Sequence, residues 1–328
     1  MPRRGEFDLI ADLFAPLARR CPAALGLTDD AAVLPPPEGG QGTVVSADML
    51  VGGVHFRLED PPDLIARKAV RVNVSDMAAM GAAPVGVILT LALSSNQDDA
   101  WIEGFVRGLD ADLSTFGLGL LGGDTVSTPG PVTISVTILG QTPPGAHLTR
   151  GGGRAGDDLW VSGTVGDAAL GLKVLDGALR PADPDHARRL ADRYHLPRPR
   201  VALGMALRGV ATAALDISDG LVGDLGHLCA ASGTGARIEA AAVPLSEAAR
   251  ASLDADPALR DSVLGGGDDY ELLFAVPPER GDAVEAAARE AGVSVARIGR
   301  LEAAPGIRIV DAAGTPVTLD RPGWRHAW

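Results

Sequence analysis

The sequence predicts a mixed protein of α/β or α+β class, built as two domains. Three features point there. At 328 residues the chain is too long for one ordinary core and fits two units of roughly 150 residues each. Segments of helical and strand periodicity alternate through both halves. Between the halves lies "TPPGAHLTRGGGRAGD" (142–157), rich in Pro and Gly and without periodicity. It sets the boundary between an N-terminal domain over 1–142 and a C-terminal domain over 143–328.

The elements follow in order. Residues 42–50, "GTVVSADML", read as a strand ending at Asp48. Residues 61–82 open on prolines suited to a helix start and close at Gly81, with Leu64, Ile65, Ala69, Val72 and Met80 at helical spacing. The apolar run "APVGVILTLAL" (83–93) predicts a strand buried on both faces. Over 98–117, Trp101, Ile102, Phe105, Leu109 and Phe116 share one helical stripe. Residues 118–125 read as a short strand broken at Gly122, and 131–141 alternate as a strand. The second half opens with a strand at 158–163 and a helix at 166–177. Helices near 185–194 and 200–208, a strand at 212–218, a helix at 220–233 and a strand at 236–243 come next. A glycine turn leads into a strand within 264–278; 280–292 is an amphipathic helix, and 295–301 and 306–311 are strands.

Composition narrows the function. Apolar residues make up 46% and charged residues 22%, a soluble globular balance. The run at 83–93 is too short to span a bilayer, which takes about 20 residues. Glu6, Asp8 and Asp12 interrupt any signal-peptide core, so the sequence predicts a cytoplasmic protein without membrane association. Cys21 and Cys229 form no C-x-x-C spacing and read as small core residues in a reducing compartment. A net charge of −13 argues against nucleic acid as a partner. An acidic chain still handles phosphates when metal ions bring the positive charge. Only Lys68 and Lys173 are lysines, which leaves few candidates for a phosphate-binding lysine.

No P-loop, H-E-x-x-H, G-x-S-x-G or kinase H-R-D set is present, and "DISDGLVGDL" does not space its acids as an EF-hand loop does. What recurs is an acid at the end of an apolar run beside Gly or Ser. The instances are Asp29 and Asp30 in "LTDDAAVL", Asp48 in "VVSADML", Asp76 in "VNVSDMAAMG" and Asp124 in "LLGGDTV". Asp216 and Asp219 in "LDISDG" and Asp268, Asp269 and Glu271 in "GGGDDYELLF" complete the series. Singly, each is turn or cap chemistry. Asp76 differs, because an acid near the end of a helix opposes the macrodipole. Converging carboxylates repel unless they share a cation, and hard oxygen ligands suit Mg²⁺, which usually bridges to substrate phosphates. A nucleotide enzyme with several Mg²⁺ ions is the leading reading. The glycine turns at 122–123, 151–153 and 265–267 would let backbone N–H groups approach phosphate, and Arg150 is a bidentate phosphate candidate. Asp224, one turn into its helix, reads as a surface acid.

These stretches, in this order, resemble the thiamine-monophosphate kinases, within the superfamily named for aminoimidazole ribonucleotide synthetase. Further matching stretches are "SADMLVGGVHF", "KAVRVNVSDMAAMGA", "LTRGGGRAGDDLWVSGTVGDAALGL" and, near the end, "LDRPGWRHAW". The resemblance implies phosphorylation of thiamine phosphate by ATP with Mg²⁺. It also implies N-terminal sheets that pair into a barrel at a homodimer interface, and a C-terminal α/β sandwich. Carried over by motif, Asp30, Ser46, Asp48, Asp76, Asp124, Asp216 and Asp219 would serve the metal ions, Ala47 through its carbonyl. Gly123, Asp124, Arg150 and Ser218 would contact ATP; His55, Glu271 and Trp324 would contact thiamine phosphate. Thr28, Ala47 and Asp268 depart from the family's usual Gly, Thr and Glu.

The acceptor is itself a phosphate monoester with a second pKa near 6, so it arrives ionised and no residue is expected to act as general base. The plain alternatives are a structural His55 and a Trp324 that only pins the C-terminus. Rival functions are a sister enzyme, of the aminoimidazole ribonucleotide synthetase or selenophosphate synthetase type, and a non-catalytic Mg²⁺ or nucleotide-binding module. Cys21 lacks the Gly-rich setting that selenophosphate synthetase requires.

Overall fold

The computed structural model describes residues 6–324 apart from 20 and 39. The first five residues of the N-terminal stretch and residues 325–328 of the closing motif lie outside the described residues. Two short helices, α1 (Glu6–Leu9) and α2 (Ala15–Ala18), open the described chain. The N-terminal sheet comprises β1 (Ala32–Leu34), β2 (Gly42–Val51), β3 (Ala83–Leu93), β4 (Gly119–Ser127) and β5 (Thr133–Thr142), in spatial order β1-β2-β5-β3-β4. Helices α3 (Pro62–Ala79) and α4 (Asp99–Phe116) build the layer beside it. Asp98 caps α4 by accepting the Trp101 N–H at 2.8 Å, and Gly117 ends it in the left-handed conformation at φ 65°. Ile134, Val136 and Ile138, alternate residues of β5, are fully buried in one core with Val70, Val74 and Met77 of α3.

Two strand readings change here. β3 is not buried on both faces: only Gly86 and Val87 are buried along it, and Val85 and Ile88 are exposed. Helix α3 covers one face, and the other keeps its apolar side chains in the open. β4 is not broken at Gly122. It runs through to Ser127 as an edge strand exposed at every position, with a register shift opposite Val87 and Ile88 absorbing the irregularity. Cys21 is exposed rather than a core residue, whereas Cys229 is buried.

The C-terminal domain begins with β6 (Asp158–Ser162), α5 (Asp167–Leu175), α6 (Pro184–His195), α7 (Val201–Ala206), β7 (Ala213–Asp216), α8 (Leu221–Ser232) and β8 (Gly235–Glu239). It continues through α9 (Glu247–Ala255), α10 (Arg260–Gly265), β9 (Leu272–Val276), α11 (Gly281–Ala291), β10 (Val295–Glu302), β11 (Ile307–Val310) and β12 (Pro316–Val317). The strands form one mixed sheet in the order β12-β11-β8-β10-β6-β9-β7. Here both faces are covered. Leu159 and Val161 of β6 join a core with α5, α6 and α8, while the intervening Trp160 joins another with α7 and α11. That is the period-two alternation of a strand between two helical layers.

The end of α3 carries the join between domains. Ala78 and Ala79 are buried in the same core as Leu203, Leu207 and Phe274 of the C-terminal half. A Cβ on Gly204 of α7 would lie 1.9 Å from the Ala78 carbonyl oxygen, so only glycine permits this approach. Contact of α3 with β7 brings the last turn of α3 beside the end of β7, the two places that carry Asp76 and Asp216.

Candidate active site

Each half contributes carboxylates to this junction. Asp30 precedes β1, Asp48 lies on β2, Asp76 lies in the last turn of α3, and β7 ends at Asp216. One oxygen each from Asp30, Asp76 and Asp216 lie within 4.8 Å of one another. Ser46 Oγ stands 2.6 Å from Asp76 Oδ2 and 2.9 Å from the Asp30 carbonyl oxygen, so its single proton has two acceptors to choose between. Asn73, one helical turn before Asp76 on the same face of α3, accepts the Asp48 N–H at 3.0 Å. That bond ties β2 to α3 at the site.

The electrostatics match the crowding. Burial, and after it the carboxylates of Asp48, Asp216 and Asp30, push Asp76 well above the usual carboxylate range, with the Ser46 hydroxyl opposing. Asp216 is pushed up by burial and then by Asp30, with Arg150 among the groups opposing. Burial also lifts Asp29 to about 6, against the N–H of Arg150, which donates to Asp29 Oδ1 at 2.7 Å. Arg150 is the one cation that reaches this group in the hydrogen bonds of the described residues. Its Nε donates to Asp30 Oδ1 at 3.0 Å, and its Nη2 donates to the same oxygen. The other oxygen, Asp30 Oδ2, is buried without a hydrogen-bond partner. A set of oxygen donors with one buried and orphaned fits a hard divalent cation.

Asp219 belongs to an adjoining group. Its carboxylate lies within 4.8 Å of ligand atoms of Asp224 and His227. Asp224 is therefore no surface acid. It is 5% exposed, and its Oδ2 accepts the N–H groups of Asp219 and Gly220 at 3.0 and 3.1 Å, which shapes the loop from β7 to α8. The loop needs backbone donors satisfied from inside, and an acid one turn into the helix supplies that. Burial, then Asp219 and Asp216, raise Asp224 well above the carboxylate range. Trp324 is exposed, and its N–H donates to the Asp219 carbonyl at 2.9 Å, so the C-terminal segment reaches this loop.

Other expected residues fall elsewhere. Gly123 and Asp124 sit on the edge strand β4, three strands from β2, and Asp124 Oδ1 accepts the Thr125 N–H. A line across the sheet still links them to the site: Asp48 stands opposite Val136, Val136 opposite Leu89, and Leu89 opposite Gly123. Gly123 is required by packing, since a Cβ there would lie 1.8 Å from the Leu89 carbonyl oxygen. Ala47 is exposed on β2, and Ser218 accepts the Asp268 N–H at 2.8 Å. His55 is half-buried, its Nδ1 accepting the Val51 N–H at 3.0 Å.

Glu271, expected to give the substrate a counter-charge, is paired within the protein instead. It is fully buried, and its carboxylate accepts from Ser162 at 2.6 Å, Arg193 at 2.9 Å and Arg200 at 2.6 and 2.5 Å. An acid followed by an apolar strand resembles a site residue in sequence, but here the arginines that neutralise it come from α6 and the turn before α7, far away along the chain. The glycines at 265–267 also have a structural reason. A Cβ on Gly267 would lie 2.2 Å from the Ser218 carbonyl oxygen, and one on Gly265 2.2 Å from that of Arg321. Asn73 and His227 are not among the residues singled out from the sequence, and Lys68 stands out there only as one of two lysines. The "VNVSD" spacing, which puts Asn73 one turn before Asp76, is a signal for the first.

Comparison with known proteins agrees with this architecture. The model for the AIR synthase related protein N-terminal domain matches residues 28–142, and that for its C-terminal domain matches 154–312. The chain is thus a two-domain protein of the AIR synthase related class. The thiamine-monophosphate kinase of Caulobacter vibrioides is 45% identical over 98% of this chain and 90% of its own length. That of Escherichia coli K12 is 43% identical over 98% of both chains. A solved structure of AaThiL complexed with AMPPCP and TMP superposes with a TM-score of 0.84 over 99% of both chains at 29% identity. The thiamine-monophosphate kinase crystal structure from Stenotrophomonas maltophilia gives 0.78 at 41% identity, covering 95% of this chain and 98% of that one. Within its class, the chain belongs to the thiamine-monophosphate kinase family.

Proposed function

We propose that this protein transfers the terminal phosphoryl group of ATP to thiamine phosphate, yielding ADP and thiamine diphosphate for thiamine diphosphate biosynthesis. The observation that carries the reading is the convergence of Asp30, Asp76 and Asp216 around a buried, unpartnered Asp30 oxygen, in a chain of this family. Asp30, Asp76 and Asp216 would hold one Mg²⁺ with Asp48 and Ser46 beside them. Asp219 and Asp124, which lie apart from that cluster, and the Ala47 carbonyl would serve further Mg²⁺ ions. Bound Mg²⁺ neutralises phosphate oxygens so that two anions can meet.

The remaining work is positioning. Arg150 and Ser218, with Gly123, lie on the nucleotide side; His55 and Trp324 serve the acceptor. Arg150 fixes Asp30 through one oxygen and leaves the other directed elsewhere. Trp324 offers an exposed aromatic face suited to the cationic thiamine ring. No side chain need remove a proton, because the acceptor phosphate is already ionised, with a second pKa near 6. Transfer is in line and passes through no phospho-enzyme.

The protein acts in the cytoplasm as a homodimer. Exposed Met49, Val85, Ile88, Leu120 and Val126 across the first sheet support an interface there. Among the described residues no helix is long and apolar enough to cross a membrane. The test is direct: purified protein with ATP, Mg²⁺ and thiamine phosphate, resolved by chromatography. Thiamine diphosphate is the expected product; its absence at saturating substrates overturns the reading.

A further inference from the structure

Lys68, on α3, is 2% exposed. An ammonium group has three N–H donors and no acceptor, and burying one is costly unless each donor is met. All are met here by different segments. Nζ donates to the His55 carbonyl at 3.0 Å and pairs with Asp268 Oδ2 at 3.1 Å. It also lies 3.7 Å from the centroid of the Tyr194 ring, on α6. Protein groups therefore occupy the donors that a phosphate ligand would use.

What Lys68 joins is informative. On one side is the loop that carries His55, between β2 and α3. On the other is the turn before β9, where Asp268 and Tyr270 hold left-handed backbone at φ 72° and 51°. Neither is glycine, so each conformation carries strain that its surroundings must hold. Backbone bonds supply part of that restraint: Asp268 N–H donates to Ser218 and Tyr270 N–H to Ile217, both at 2.8 Å. Lys68 adds a further restraint through the Asp268 side chain. One buried cation thus connects the His55 loop of the N-terminal domain to the turn that braces the Asp216–Asp219 loop of the C-terminal domain.

We propose that Lys68 is a positioning residue for the acceptor substrate, setting His55 and the Asp268 turn at their working separation across the domain junction. The inference rests on the thiamine phosphate kinase reading. Its effect falls mainly on the acceptor, because Lys68 binds the His55 backbone directly, whereas Arg150 is held by Asp29 and Asp30 and Ser218 accepts the Asp268 N–H rather than touching Lys68.

The experiment is steady-state kinetics on the full chain, native, Lys68→Met and Lys68→Arg, varying thiamine phosphate and MgATP separately. Lys68→Met is expected to raise KM for thiamine phosphate about tenfold or more while KM for ATP stays within about twofold. Lys68→Arg, which keeps the charge, is expected to recover part of the loss. Asp268→Asn alone is expected to raise the same KM, and in Lys68→Met/Asp268→Asn the two losses are expected not to add, because they act through one contact. Equal changes in both KM values, or none, overturn the inference while product from the native chain leaves the kinase reading intact. Failure of both single variants to fold makes Lys68 a determinant of the fold and overturns it as well. No product from the native chain overturns the kinase reading and this inference with it.

Discussion

Ser46 Oγ and Asp76 Oδ2 stand 2.6 Å apart and join β2 to the last turn of α3, where carboxylates from both domains converge. A helix end already disfavours an acid, and burial beside Asp48, Asp216 and Asp30 disfavours it further. On the proposed reading, stability has been traded for a carboxylate that would hold Mg²⁺ beside the phosphates. Asp76→Asn is therefore expected to raise the melting temperature of the metal-free protein while lowering kcat by about 100-fold or more. Thermal denaturation in chelator and a turnover assay check the two halves; unchanged turnover removes Asp76 from the metal set.

Asp216→Asn and Asp48→Asn are expected to lose most of kcat while remaining folded. Circular dichroism establishes the fold, and product formation at saturating Mg²⁺ and ATP gives the loss. Near-normal turnover in either variant excludes that residue as a ligand.

Metal-free stability should fall as pH rises. Burial leads in raising all five acids: Asp76, Asp216 and Asp224 are pushed up further by neighbouring carboxylates (first Asp48, Asp30 and Asp219 respectively), Asp29 lies at about 6 and Asp269 at about 8. Their unfolded-state values lie near 4, so between about pH 4 and pH 8 the folded chain binds more protons than the unfolded one. The stabilisation is complete below the lower limit and is lost as each group ionises in the folded state. The melting temperature without metal is expected to drop by about 5 °C or more from pH 5 to pH 8. Saturating Mg²⁺ should flatten that slope, because the ions favour the ionised carboxylates; an identical slope with and without Mg²⁺ would count against the metal site.

Glu271→Gln separates structure from substrate binding. Arg193 and Arg200 lose a buried partner, and breaking a buried ion pair typically destabilises by about 3–5 kcal/mol. Denaturant titration is expected to show that loss, with KM for thiamine phosphate little changed in the folded fraction. A large KM rise without destabilisation would restore Glu271 as a substrate contact.

Trp324→Ala is expected to raise KM for thiamine phosphate several-fold more than KM for ATP, since the ring is exposed and its backbone N–H is tied to Asp219. Parallel changes in both constants would assign it to anchoring the tail.

Much of this arrangement is readable in the chain, for physical reasons. Helix α3 announces itself through Pro62 and its apolar spacing, and β5 through strict alternation that matches its burial. Acids at the ends of apolar runs mark Asp30, Asp76 and Asp216, because a strand or helix end is where a side chain can leave a core. The rest depends on what lies opposite. β3 is as apolar as a strand buried twice over, and within the single chain the face carrying Val85 and Ile88 is open, which is the face of the proposed interface. Glu271 and Asp224 look respectively like a site acid and a surface acid until Arg193 and Arg200, or the N–H groups of Asp219 and Gly220, are found beside them. Lys68 gives no sign of its role, since His55, Tyr194 and Asp268 meet it only in the fold.

Arg150 and Asp30 pair across more than a third of the chain, and Asp216 joins them from further on. During synthesis, then, β2 and α3 are complete while β7 is still unmade. A nascent chain holds no assembled cluster until the second domain has emerged and packed against the first. Products that end before β7 lack Asp216, so the proposed site is complete only once both domains are present.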